Sequence, residues 1–167
     1  MRRFVTIFAV VANLALADAI TKEIAAARLK GAAAVSVIPG FFNLAYVENR
    51  GAAWGLFQGR VGPLAAFAVV ALAVLVWKRR EIFLTESTGW RRVAGRFAEW
   101  FVYAGIVGNL LDRVVRGHVI DMLDFHWGVH HFPCFNLADA YISVAAAFLI
   151  AVSFMPHVGA AKTGKQK

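Results

Sequence analysis

Four long runs of apolar residues dominate the pattern of this chain. The runs cover residues 4–21, 61–77, 93–111 and 136–158. An α-helix rises about 1.5 Å per residue, so roughly 20 apolar residues cross a hydrocarbon core of about 30 Å. The third run gives the weakest signal, because Arg96 and Glu99 lie near its start. The pattern predicts a mainly α-helical, polytopic membrane protein with four transmembrane helices.

The segments between these runs, residues 22–60 and 112–135, have a different composition. They mix glycine, proline and aromatic residues, as in the run Ile38-Pro-Gly-Phe-Phe-Asn-Leu-Ala-Tyr46. Turn residues between short apolar stretches are typical of strands joined by tight turns. We therefore predict a small β-rich platform at the membrane surface, within a single domain that covers residues 1–167.

Charge fixes the expected orientation of the helices. The chain has 60% hydrophobic residues and a net charge of +8, and its Lys and Arg residues lie beside apolar runs instead of forming a basic stripe. We therefore expect no nucleic acid partner. Cytoplasmic loops are enriched in Lys and Arg, and 11 of the 18 basic residues precede run one, lie between run two and the uncharged part of run three, or follow run four. Both termini, including the basic tail 159–167, are predicted to be cytoplasmic, and the two mixed segments to face outward.

The N-terminus also resembles a cleavable signal peptide. Met1-Arg-Arg, an apolar run and Ala15-Leu-Ala17 fit that pattern. The apolar run continues past Asp18 and is long enough to span, so we expect it to be retained.

Polar residues are concentrated at the outward ends of runs three and four. They are Asn109, Asp112, Arg113, Asp121, Asp124, Asn136 and Asp139. An ionisable residue close to hydrocarbon is costly and marks a functional site by default. Asp112 and Arg113 are adjacent and fit a structural ion pair at a helix end. Asp121 and Asp139 have apolar neighbours, and we expect each at the outer end of a membrane helix, facing one shared site.

Two carboxyl groups in a poorly solvated pocket cannot both ionise at low cost, so the pKa of one rises and the pair shares a proton. Aspartic proteases use this arrangement, in which the ionised carboxylate activates water and the protonated carboxyl polarises the carbonyl. A proton relay in a small transporter uses the same residue types. The two residues alone leave both functions open.

Other chemistry fits less well. His126-Trp-Gly-Val-His130 has the spacing of a zinc-binding helix, but it lacks the glutamate after the first histidine and contains Gly128. Cys134 is the single cysteine, and we expect an unreactive buried thiol. The chain has no glycine-rich phosphate loop or dinucleotide motif, so no metal and no cofactor is expected.

Five blocks of sequence, in this order, resemble the bacterial lipoprotein signal peptidase family, also called signal peptidase II. The blocks are Asp18-Ala-Ile-Thr-Lys22, Asn43 through Asn49-Arg-Gly-Ala-Ala53, Gly105-Ile-Val-Gly-Asn-Leu-Leu-Asp-Arg113, Gly117-His-Val-Ile-Asp121 and Phe132-Pro-Cys-Phe-Asn-Leu-Ala-Asp139. The resemblance implies an aspartic endopeptidase of the bacterial inner membrane, with its active site at the extracytoplasmic boundary. Such an enzyme removes signal peptides from diacylglyceryl-modified prolipoproteins, cleaving before the lipidated cysteine. Membrane lipids and globomycin-type cyclic peptide inhibitors are the other partners implied.

The resemblance also assigns roles to residues. The catalytic pair falls on Asp121 and Asp139. The positions implied to line the site, hold the substrate or organise the site are Asn49, Gly51, Asn109, Asp112, Arg113, Asn136, Asp18 and Lys22. The chain departs from the family pattern at Ile106, Trp54 and Met122, which are apolar exchanges beside the motifs.

The outer segment supplies one further hypothesis. Its aromatic residues, Phe41, Phe42, Tyr46, Trp54 and Phe57, are expected to rest on lipid headgroups beside the site. The transporter alternative is weakened because the carboxylates gather at one boundary instead of along a path through the membrane.

Overall fold

A computed structural model describes residues 2–52, 56–83 and 89–154. Within these ranges the chain forms five helices and four strands: α1 (Arg2–Leu29), β1 (Val35–Ile38), β2 (Phe42–Asn49), α2 (Val61–Trp77), α3 (Arg79–Ile82), α4 (Gly89–Arg116), β3 (Val119–Trp127), β4 (His130–His131) and α5 (Leu137–Phe154). The prediction of a mainly helical protein with a small β-rich part is confirmed. Trp54 and the basic tail 159–167 lie outside the described residues.

Among the residues that the structure describes, two helices are long and apolar enough to cross a membrane, judged by length and composition, namely Phe4–Leu29 within α1 and Leu137–Phe154. The apolar helix α2 is shorter, and none of its residues is buried within the protein. A helix that is apolar all round and uncovered is suited to lipid contact. Helix α4 has 28 residues and a more polar composition. It packs against α1, α2 and α5.

Two helices extend further outward than the apolar runs. Helix α1 continues to Leu29, because Asp18 and Lys22 lie one turn apart and form a buried ion pair of 2.7 Å. Helix α4 continues through Asp112 and Arg113 to Arg116, where basic residues in the last turn favour the helix dipole. Lys22, Asp112 and Arg113 therefore lie on helical turns beyond the ends of the apolar runs.

The four strands form one antiparallel sheet in the order β1-β2-β3-β4. Asp121 lies in β3, paired with Val47 of β2, so the prediction that it stands at the end of a membrane helix is wrong. Gly117, with a φ of 72°, ends α4 in the left-handed region. The β-branched residues Val119 and Ile120 then favour a strand.

Strand β3 contains a β-bulge that decides which side chains share a face. The backbone N–H groups of Met122 and Leu123 both donate to the carbonyl of Phe135, at 3.0 and 2.8 Å, and the register with β2 shifts at the same place. Both side chains pack into one apolar cluster with Ile120. Two consecutive residues therefore face the same way, and the alternation after them is reversed.

Close helix packing brings α1, α4 and α5 together beneath the sheet. A Cβ atom on Gly105 would lie 2.4 Å from the carbonyl oxygen of Ala138 in α5. A Cβ on Gly108 would lie 2.6 Å from Asp18 Oδ2 in α1. Small residues permit this approach of helices in membranes. The close packing places polar side chains of all three helices within hydrogen-bonding reach.

Candidate active site

A cavity of about 780 Å³ opens where the helices meet the sheet. Its wall contains five polar residues singled out from the sequence: Asn49, Asn109, Arg113, Asp121 and Asp139. The volume lies in the range of ligand-binding pockets. Asp121 and Asp139 thus face one cavity although they come from different elements, β3 and α5.

Asp121 is 2% exposed, and both of its oxygens accept hydrogen bonds from amide side chains. Asn49 Nδ2 donates to Oδ2 at 3.0 Å, and Asn136 Nδ2 donates to Oδ1 at 2.7 Å. The sheet register explains the first bond, because Asn49 pairs with Val119 and is a diagonal neighbour of Asp121. Both partners are neutral, and within the part of the chain that the structure describes Asp121 forms no ion pair.

Asp139 stands in the first turn of α5 and takes part in its cap. Asn136 precedes the helix, and its Oδ1 accepts from the Asp139 N–H at 3.0 Å, while Asp139 Oδ2 accepts from the Asn136 N–H at 3.3 Å. This reciprocal pair is a capping box. Asn109 Nδ2 donates to the other oxygen, Oδ1, at 2.7 Å. These donors hold the Asp139 carboxyl group in a fixed position at the start of α5.

Asn136 connects the two carboxylates. It is fully buried, and its Nδ2 donates both to Asp121 Oδ1 and to Asn109 Oδ1, the latter at 3.2 Å. Burial, together with the charge of Asp139, raises the pKa of Asp121 to about 7, although the hydrogen bonds from Asn49 and Asn136 act in the opposite direction. Near neutral pH, Asp121 therefore exchanges a proton readily.

Lys22 organises the floor of the site. Its fully buried ammonium contacts Asp18 Oδ2 at 2.7 Å, Asp112 Oδ2 at 2.9 Å and Asn109 Oδ1 at 3.1 Å, which uses all three of its N–H groups. An ammonium can only donate, so the Asn109 oxygen must face it and the Asn109 NH₂ must face Asp139. The Lys22 charge thereby fixes the orientation of the amide that holds Asp139.

Asp112 and Arg113 do not form the ion pair with each other that their adjacency suggested. Asp112 pairs instead with Lys22 and with Arg116, the latter at 3.0 Å. Successive residues on a helix point about 100° apart, whereas residues four apart share a face. Asp112 also accepts from the backbone N–H of Ile120 at 3.3 Å, so it ties α4 to the start of β3.

Arg113 faces the cavity and fixes the loop after β2. It donates to the carbonyl of Gly51 at 3.1 Å, and the Gly51 N–H donates to Asn49 Oδ1 at 2.9 Å. A Cβ on Gly51 would lie 2.6 Å from the carbonyl oxygen of Leu56, so only glycine fits there. With its oxygen occupied by Gly51, Asn49 presents its NH₂ to Asp121.

Asp18 links α1 to the cap of α5, since its Oδ1 accepts from the backbone N–H of Ala138 at 2.9 Å. The eight other residues singled out by the resemblance are thus connected to Asp121 or Asp139, and the longest of these connections run from Asp18 and Asp112 through Lys22 and Asn109. The sequence did not identify the apolar wall of the cavity, which includes Ile142 and Val144 of α5. An apolar helix gives no signal for which of its faces meets a cavity.

Three residues considered from the sequence, one cysteine and two histidines, lack the arrangement of a nucleophile or of metal ligands. Cys134 lines the cavity, and burial, with the charge of Asp121 next in importance, raises the pKa of its thiol to about 12. A thiol with this pKa is neutral near pH 7, and the residue is half-buried. His126 and His130 stand on the hairpin of β3 and β4, so the helix that zinc spacing would require is absent from this stretch.

Comparison with known proteins places this chain among peptidases. A family model described as Signal peptidase (SPase) II matches residues 10–155. A lipoprotein signal peptidase of Syntrophotalea carbinolica is 38% identical over 148 residues, covering 86% of this chain and 88% of the relative. The lipoprotein signal peptidase of Fusobacterium nucleatum is 37% identical over 137 residues, covering 82% of this chain and 79% of the relative.

The fold also resembles solved structures. Two chains described as bacterial membrane enzyme structures obtained by the in meso method superpose with TM-scores of 0.74 and 0.73, at 28% and 29% sequence identity. They cover 89% of this chain, and this chain covers 87% and 92% of theirs.

Proposed function

This chain belongs to the signal peptidase II family, and on that premise we propose that it cleaves signal peptides from prolipoproteins with Asp121 and Asp139 as its catalytic pair. One observation carries the assignment. The two carboxylates line one cavity and are joined through Asn136, and among the described residues their hydrogen-bond donors are neutral side-chain amides and a backbone N–H. Carboxylates held in this way share a proton near neutrality, which an aspartic peptidase requires.

We assign Asp121 as the protonated member and Asp139 as the base. The raised pKa of Asp121 favours its neutral form, and Asp139, whose carboxyl group is held by Asn109 and by the backbone N–H of Asn136, is left as the base. Asp139 takes a proton from water as the water oxygen attacks the scissile carbonyl carbon, while Asp121 donates a hydrogen bond to the carbonyl oxygen. The tetrahedral intermediate then collapses, and the departing amine receives a proton from the pair.

The remaining site residues position the reacting groups. Arg113 and Asn49 line one side of the cavity, where amide and guanidinium N–H groups suit the backbone carbonyls of an extended peptide. Asp18, Lys22 and Asp112 act behind them, by holding Asn109 and the cap of α5. They are positioning residues and do not reach the substrate.

The substrate proposed is a diacylglyceryl-modified prolipoprotein, cut before its lipidated cysteine. Its apolar signal helix would lie against the apolar wall at Ile142 and Val144, with its acyl chains in the surrounding membrane lipids. Globomycin-type cyclic peptides would occupy the same cavity, with a hydroxyl group between Asp121 and Asp139. A transporter function lacks support, because these carboxylates share one cavity at the sheet end of the helices.

The location proposed is the bacterial inner membrane, with α1, α2, α4 and α5 as four spans, both termini cytoplasmic and the site at the extracytoplasmic boundary. Support comes from the long apolar helices α1 and α5 and from the basic residues between α2 and α4. Phe41 and Phe57, which are exposed, would rest on lipid headgroups together with the outer face of the sheet. An unchanged cleavage rate in liposomes after Phe57→Asp would count against that contact.

The central experiment uses purified protein and a diacylglyceryl-modified prolipoprotein in detergent or liposomes. Asp121→Asn and Asp139→Asn should each lower the rate of signal peptide release by a factor of about 10³ or more, since each removes an acid or a base from the reaction. Glu23→Gln is the matched control, because it removes an exposed carboxylate on α1 outside the cavity. Activity in both aspartate variants would refute the pair.

A further inference from the structure

A second cavity, of about 540 Å³, adjoins the first. The two share four wall residues: Val47, Phe132, Pro133 and Cys134. The second cavity extends along the sheet to Ala45, Asp124 and His131, none of which belongs to the proposed catalytic machinery. A molecule bound at Asp121 can therefore continue into this space without leaving the protein surface.

The β-bulge in β3 turns Asp124 into this cavity. In a regular strand, residues three apart point to opposite faces, so Asp124 would face away from Asp121. The bulge at Met122 and Leu123 reverses the alternation, and Asp124 comes to the cavity side. Its partner across the strands, Asn43, donates to Asp124 Oδ2 at 3.1 Å.

Asp124 is held as an anion with spare capacity to accept hydrogen bonds. Burial alone would raise the pKa of Asp124, but the hydrogen bonds from His131 and Asn43 outweigh burial and hold the pKa below its usual value. His131 Nδ1 lies 2.7 Å from Oδ1. A carboxylate has about four lone-pair positions, and these bonds use two of them. Asp124 can therefore accept from a further donor in the cavity.

Taking the proposed cleavage of prolipoproteins as given, we propose that the second cavity binds the first residues of the mature chain, those that follow the lipidated cysteine, with Asp124 as a specificity-determining residue. Asp124 lies three residues beyond Asp121 on β3, about 10 Å, which is the length of about three residues of extended peptide. The polar mature chain leaves the membrane in this direction. The Asp124 carboxylate accepts from peptide N–H groups and favours cationic over anionic side chains there.

The first test compares lipidated substrates that differ only at the second and third mature residues, which are both lysine or both aspartate. The parent protein should prefer the lysine substrate by about fivefold in kcat/KM, the scale of a solvent-accessible ion pair. Asp124→Asn, which keeps an acceptor for Asn43, should bring the ratio close to one. Glu23→Gln should keep the parental ratio, because Glu23 lies outside both cavities. A parental ratio in Asp124→Asn would overturn the subsite.

The second test fills the cavity without touching a charge. Ala45 lines only the second cavity, so Ala45→Phe should raise KM about tenfold for a substrate with a full mature chain. The KM for a substrate that ends at the lipidated cysteine amide should stay at the parental value. Equal KM changes for both substrates, or no change for either, would overturn the subsite. Failure of the parent protein to cleave the substrate with a full mature chain would instead refute the proposed function itself.

Discussion

Two buried charge clusters at opposite ends of α4 differ in how their carboxylates are held. Near its start, Glu99 is 1% exposed and pairs with Arg79 through two hydrogen bonds, at 2.7 and 3.2 Å. Near its end, the partners of Asp121 are neutral amides. A guanidinium matches a carboxylate one to one and fixes its charge, whereas amides leave the proton free to exchange. The first cluster, called the structural cluster below, therefore suits a structural role, and the second suits proton transfer.

The largest expected effect comes from replacing Lys22, whose buried ammonium contacts Asp18, Asp112 and Asn109. Lys22→Met leaves Asp18 and Asp112 buried without their shared cation, so the free energy of unfolding should fall by about 3–5 kcal/mol. Peptidase activity should fall with it, because Asn109 loses its fixed orientation. Denaturant unfolding in detergent measures the first effect. A variant as stable as the parent would show that the site does not depend on this charge.

The next largest effect is expected for Asp121→Asn, which should stabilise the folded protein and lower its activity. The folded-state pKa of Asp121 is raised above its unfolded value, so its contribution is favourable at low pH and is lost as pH rises from about 4 to about 7. Asp121→Asn should therefore match the parent near pH 4 but exceed its unfolding free energy by about 2–4 kcal/mol above pH 7, since each pKa unit corresponds to about 1.4 kcal/mol. Equal stability across this range would contradict the unpaired burial of Asp121.

A third substitution separates the cap of α5 from the link between the carboxylates. Serine is a good helix N-cap but lacks an NH₂ group, so Asn136→Ser should keep most of the stability and lower kcat by about 10²-fold. Asn136→Ala should in addition lose about 1 kcal/mol of stability. Unfolding and cleavage measured on the same preparations distinguish the two. Unchanged kcat in the serine variant would mean that the amide link is dispensable.

The smallest effect is expected at the structural cluster. Replacing both members of the pair, Arg79→Met with Glu99→Leu, removes both charges together and should change the unfolding free energy by about 1 kcal/mol or less. Arg79→Met alone should cost more, because Glu99 then stays buried and unpaired. Cleavage by the double variant should remain at the parental rate. A loss of activity there would show that the two ends of α4 are coupled.

The fold class could be predicted from the sequence, because long apolar runs reflect the membrane environment directly. The prediction that Asp121 lies at the end of a membrane helix was wrong, because its neighbours Val119 and Ile120 are as suited to a buried strand as to a membrane helix. The prediction of an ion pair between Asp112 and Arg113 was also wrong, since adjacency in sequence opposes proximity in a helix. The bulge in β3 depends on pairing with Phe135, a distant contact with no local signal. The site residues came from the order of the motif blocks, which preserves contacts that spacing alone does not reveal.

The capping box at Asn136 and Asp139 ties the local folding of α5 to the proposed chemistry. This turn is buried and is held to α1 by Asp18 and to α4 by Asn109, so it cannot open without breaking contacts between three helices. Opening of the turn would displace the proposed base and remove the cap of the helix at the same time. On warming, catalysis should therefore be lost together with the packing of α1, α4 and α5, so that the thermal limit of activity coincides with unfolding.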